Sequence, residues 1–134
     1  MRPDPGPSVM VNAQPADGGT PSRFVHLFHG TDRGGADDLL QNGVSQAQAA
    51  AWNGSGEFWA TSVRSRAEFF ALSHPNSPPA ACFEFDMPEP VLAAILQMIP
   101  AGAMQHGADD YEFLPASFAL LNRHMVNRQV TPVP

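Results

Sequence analysis

Residues Arg23 to His29 place Val25, Leu27 and His29 on one side of an extended chain and Phe24, His26 and Phe28 on the other. Apolar groups on both sides at period two suit a strand buried on both faces. Residues 1–22, rich in Pro, Gly and Ala, carry too little apolar bulk to offset the entropy of ordering. They read as a disordered linker, and residues 23–134 as one domain of common size.

The rest of the chain alternates short strands with short helices. "DDLLQNGV" predicts a helix ending at Asn42-Gly43, with Gly43 in the left-handed cap conformation and Val44 folding back. Residues 45–56, "SQAQAAAWNGSG", lack an apolar stripe and predict a mobile loop. "EFWAT" predicts a brief strand, followed by a helix whose start carries Ser65 and Glu68 in capping-box spacing. "AACFEFDM" predicts a third strand, and Asp86 before Pro88 and Glu89 a helix cap ahead of apolar positions 92, 95, 96 and 99. Residues 102–110 read as a polar loop and "YEFLP" as another short strand, while the final segment, "ASFALLNRHMVNRQV", is compatible with helix then strand without the sequence settling it. The element order is β-α-β-α-β-α with a late strand.

Seven arginines, no lysine and thirteen acidic residues give a formal charge of -6, which repels a phosphate backbone and makes nucleic acid an unlikely partner. No apolar run of about 20 residues spans a bilayer and no signal peptide is visible. The chain reads as soluble, cytoplasmic or exported within a larger protein. A single cysteine, Cys82, excludes an internal disulfide, and its mid-strand position suits an inert buried thiol. His26, His29, His74, His106 and His124 show no metal-ligand spacing, so no metal is expected. Nucleophile elbow, phosphate loop and dinucleotide glycine motifs are absent.

Three stretches remain that carry chemistry. His29-Gly30-Thr31 ends an apolar strand, where a histidine is either a satisfied strand end or a ligand contact. Phe58, Trp59, Phe69 and Phe70 supply aromatic faces, by default to the core. Glu112 sits between Tyr111 and Phe113 in a strand, where a carboxylate faces solvent, finds a donor or lines a cleft. Asp110 shares its face, and mutual repulsion is expected to raise at least one of the two pKa values.

In this order, "HGTDRGGADDLLQNGV", "GEFWATSVRSRAEFFA" and "DDYEFLP" resemble the ADP-ribosyltransferase superfamily of the diphtheria-toxin and poly(ADP-ribose) polymerase type, with its His, Tyr and Glu on three strands. The likeness covers residues 24 to about 121, with Trp59 or Phe58 in place of the tyrosine. It implies an α+β fold with split mixed/antiparallel sheets flanked by short helices around an NAD cleft, NAD as substrate and no metal. His29 and Glu112 would be catalytic, His29 holding a ribose hydroxyl and Glu112 the 2'-hydroxyl beside the developing oxocarbenium centre. The Gly30 backbone would grip the nicotinamide carboxamide, with Thr31 and Thr61 in the flanking motifs.

The landmarks Thr61, Ala67 and Ala71 select Trp59 and Phe70 as the pair that stacks on nicotinamide, whereas counting from Gly56 selects Phe58 and Phe69. Arg66 or Arg64 would meet the pyrophosphate or simply solvate the surface. The resemblance implies transfer of ADP-ribose to a macromolecule by a bacterial toxin or effector domain, with a protein acceptor and an immunity protein as partners. Its alternatives are an NAD glycohydrolase, a non-catalytic NAD or ADP-ribose binding module, and the RNA 2'-phosphotransferase branch, which the acidic charge disfavours.

Overall fold

The computed structural model describes residues 23–53, 56–73 and 79–134. The expected linker over residues 1–22 and the side chain of His74 lie outside them. In chain order the elements are β1 (Phe24–Asp32), α1 (Arg33–Asn42), α2 (Gln46–Asn53), β2 (Phe58–Thr61), α3 (Arg64–Leu72) and β3 (Ala80–Pro88). There follow α4 (Glu89–Leu96), β4 (Ala103–His106), β5 (Asp110–Phe113), a 3-10 turn (Pro115–Ser117), α5 (Phe118–His124) and β6 (Val126–Pro132). No helix among the described residues is long and apolar enough to cross a membrane.

The strands form one six-stranded sheet of order β4-β5-β2-β1-β3-β6, and every neighbouring pair is antiparallel. The class is α+β; of the expected mixed/antiparallel pairing the antiparallel form is found and the mixed form is corrected. β2 and β3, joined through α3, run the same way, yet β1 lies between them and pairs antiparallel with both. The expected division into two sheets is corrected too, although a seam survives. β1 makes nine registered pairs with β3 and a single one with β2, Phe28 with Thr61.

β1 lies inside the sheet, and its two faces differ. One face carries Leu27, opposite Phe85, with Met87, Phe83 and Phe113 on the same side, all fully buried. Ile95 of α4, Leu121 of α5 and Leu39 of α1 join them in one apolar cluster. Burying each large side chain contributes about 1.5–3 kcal/mol. The other face carries His26, Phe28 and Gly30 and is covered by α3. A Cβ at Gly30 would lie 1.9 Å from the Ala67 carbonyl oxygen, so only glycine lets α3 pack this closely on β1.

α1 ends at Gly43 as expected, its N–H donating to the Leu39 carbonyl and Val44 buried, but with φ 77° and ψ -167° Gly43 leaves the helix in an extended turn rather than the left-handed helical cap. Four local expectations fail. Residues 46–53 are helical rather than a loop, with buried Ala49 as part of the core. The Ser65 and Glu68 capping box does not form, because α3 starts two residues earlier with Val63 at its cap and Glu68 binds Arg64 at 2.8 Å. Asp86 does not cap α4. It stays in β3 and accepts a hydrogen bond from His26 Nδ1–H at 2.6 Å, while Pro88 stands at the cap. Residues 103–106, expected as loop, are β4, paired with β5 in a hairpin that turns through Gly107 at φ 68°.

Candidate functional site

The seam between β1 and β2 opens beside the His29-Gly30 corner. Continuing the register past Phe28 and Thr61 would set Gly30 against Trp59, but no such pair forms. Instead the His29 Nδ1–H donates to the Trp59 carbonyl at 2.6 Å, so a side chain engages a backbone acceptor at the open seam. A pocket of about 390 Å³ lies along this opening. Its walls are Phe28, His29 and Gly30 from β1, Trp59, Ala60 and Thr61 from β2, Arg66, Ala67 and Phe70 from α3, and Asp110 from β5. Volume and largely apolar lining match those of small-ligand sites.

His29 stacks on Phe58 with ring centroids 4.5 Å apart. Burial lowers its pKa below the ordinary histidine value, only partly offset by the bond to the Trp59 carbonyl. A carbonyl accepts and never donates, so Nδ1 carries the proton and Nε2 a lone pair. The corner therefore offers a neutral imidazole acceptor beside a glycine whose edge toward β2 is left unpaired, while its Cβ side is filled by α3.

Of the two aromatic registers, Trp59 and Phe70 both line the pocket, are 42% and 52% exposed, and stand on different elements. Phe58 is buried against Phe85 and Phe113 beneath His29 and offers no face to the pocket, and Phe69 is exposed outside the lining. Thr61 is buried yet reaches the wall, whereas Thr31 is buried outside the lining, its hydroxyl without a hydrogen-bond partner.

The two carboxylates of β5 have separate partners. Asp110 lines the pocket and accepts two bonds from Arg66, one from Nε at 3.0 Å and one from Nη2. The Arg66 bond, outweighing desolvation, holds the Asp110 carboxyl below its usual value, so the raised pKa that repulsion predicted is not found there. Arg66 also lies 5.8 Å from the Phe70 ring centre. Glu112 is directly opposite Trp59 across β2 and β5, yet outside the pocket lining. Its Oε1 is 2.9 Å from His106 Nε2, and the His106 ring faces the Trp59 indole at 4.9 Å.

Arg64 is not a pocket residue. Its guanidinium binds Glu84 at 2.6 Å, Glu68, Thr131 and the Pro132 carbonyl. Glu84, a buried carboxylate, also faces His26 Nε2 at 2.9 Å, so charges on α3, β3 and β1 satisfy one another, joined by the Thr131 hydroxyl of β6. Cys82 is fully buried, and burial pushes its thiol up to about 11, far from a thiolate nucleophile.

A scan against protein-family models finds no match to this sequence, and a search of curated proteins finds none. The functional reading therefore stands on the residues themselves. Sequence reasoning overlooked His106, noted only as a histidine without metal spacing. The only local mark is the glycine turn at Gly107; the strand pairing that sets His106 across from Asp110 is visible in the structure alone.

Proposed function

We propose that the chain binds NAD along the β1–β2 seam and cleaves the bond between nicotinamide and ribose, passing ADP-ribose to a macromolecular acceptor or to water. The observation that carries this reading is the opening of the sheet at His29-Gly30, with Trp59 and Phe70 on its two walls. A flat aromatic amide fits between two aromatic faces, and the Gly30 main chain supplies groups that can bond a carboxamide at close range. The His29 Nε2 lone pair accepts from a ribose hydroxyl. Arg66, already shared with Asp110, has its remaining donors for phosphate oxygens.

When the glycosidic bond breaks, its electron pair goes to the nicotinamide nitrogen and positive charge develops on the ribose. Glu112, beside Trp59, stabilises that charge, an effect strongest where the ligand has displaced water. Nicotinamide release from NAD tests this, measured with and without a cell lysate that supplies acceptors. Wild type is expected to release it, and Glu112→Gln to slow release by about 10²–10³-fold, the usual cost of removing one fixed electrostatic partner of a transition state. No release by the wild type under either condition sinks the enzymatic reading.

A second reading is a module that binds NAD or ADP-ribose without turnover, and one observation favours it: Glu112 lies outside the pocket lining. Its signature is a higher unfolding temperature with NAD and no nicotinamide, since a ligand that binds only the native state stabilises it.

A further inference from the structure

We propose that His106 is the base that takes the acceptor's proton, and that the acceptor is a neutral hydroxyl, of water or an alcohol, rather than a guanidinium. The inference rests on the NAD-cleaving reading and names its second substrate. His106 closes β4 just before the Gly107 turn, its side chain 43% exposed. An ionised carboxylate only accepts, so the 2.9 Å contact with Glu112 Oε1 puts the proton on Nε2. Nδ1 then holds the lone pair, and among the described residues it has no partner. A carboxylate behind an imidazole fixes its tautomer and stabilises the imidazolium formed when the other nitrogen takes a proton.

The Trp59 indole links the two parts: it lines the pocket and also packs against the His106 ring. An acceptor approaching ribose past the exposed edge of Trp59 thus meets an imidazole with a free lone pair. It meets no free carboxylate pair. Asp110 is held by Arg66 and Glu112 by His106, so an incoming guanidinium would face one cation and a carboxylate already engaged.

The step balances. The ribose–nicotinamide bond breaks with its pair on nicotinamide, the hydroxyl oxygen bonds to the same ribose carbon, and its proton passes to His106 Nδ1 and on to solvent. Imidazolium cannot accept that proton, so transfer falls on acidification. The groups facing His106 are Glu112 and Asp110 of β5 and the Trp59 ring of β2, with Arg66 of α3 reaching Asp110, while Asp109 in the turn is taken up by the Ser62 hydroxyl.

The test follows nicotinamide and ADP-ribosyl products from NAD across pH for the wild type, His106→Gln and His106→Ala, with methanol or agmatine present. His106→Gln keeps a donor for Glu112 but no base. It is expected to bind NAD as the wild type does, to turn over about 10²-fold more slowly, the usual weight of general base catalysis, and to lose the fall at low pH. Added imidazole is expected to restore His106→Ala. ADP-ribose alone identifies water as acceptor, and a methyl adduct shows that an alcohol enters; both support the proposal. A dominant agmatine adduct overturns it, as do variants that match the wild type in rate and pH profile. If the wild type releases no nicotinamide, the NAD-cleaving reading falls and takes this inference with it. If the wild type is active and only the variants fail to differ, the inference alone falls.

Discussion

Single side chains at the corner divide into those that face the pocket and those that hold it in shape. Thr31 does neither: it is buried, lies outside the pocket wall, and its hydroxyl has no partner. A buried unpaired hydroxyl is unfavourable, and valine keeps its shape and β-branching. Thr31→Val is expected to stabilise the fold by about 1 kcal/mol, seen as a higher urea midpoint at unchanged slope, with nicotinamide release unaltered. A loss of stability would show that the hydroxyl is bonded after all. His29 and Glu112 stood out in the sequence because a polar group interrupts an apolar run. His106 did not, because its role depends on the partner that the hairpin delivers across β4 and β5. The landmarks Thr61, Ala67 and Ala71 already favoured Trp59 over Phe58 in the sequence, and the pleat of β2, which one residue of register reverses, puts Trp59 on the pocket wall.

At the level of elements, α3 forms the pocket's upper wall and is fixed at two points, Ala67 against Gly30 and Arg64 in the cluster around Glu84. Desolvation works against both charged forms in this cluster, but hydrogen bonds outweigh it. His26 is raised from 6.5 by Glu84 and Asp86, and Glu84 is lowered from 4.5 by Thr131, His26 and Arg64. A raised histidine stabilises fully below its unfolded value and loses that as pH rises through its folded value. A lowered carboxylate stabilises above its unfolded value and loses that as pH falls through its folded one. The cluster therefore contributes most between 4.5 and 6.5. Urea midpoints of the wild type are expected to peak in that window, and His26→Gln to remove the decline on its alkaline side. An unchanged decline in the variant would place the alkaline loss elsewhere. β1, α1, β2, β3, α4 and β5 were legible from period and turn residues. α2 and β4 were not, because an Ala-rich segment and a four-residue strand become regular only when tertiary packing supplies a partner surface. The false capping box has the same origin, since Arg64 competes successfully for Glu68.

Across the whole molecule the sheet is uneven. β1 and β3 share nine registered pairs above a core of Leu27, Phe83 and Phe85, while β2, β5 and β4 join them through one. Local opening draws on the regions with fewest such ties. Amide exchange under native conditions is expected to show higher protection in β1 and β3 than in β4 and β5, with NAD narrowing the gap by bridging the seam. Equal protection throughout the ligand-free sheet would contradict this. The sequence announced the pocket's corner but not the seam, because pairing lost between strands 30 residues apart leaves no local mark. The fit of Gly30 beneath Ala67 bears on inhibitor escape. A compound anchored to the Gly30 main chain would hold on to atoms that every point mutation short of proline at that position preserves. The one change that would block its approach there, a side chain at Gly30, collides with α3 first. Resistance would have to arise at the aromatic walls, where it also touches the pocket's own ligand.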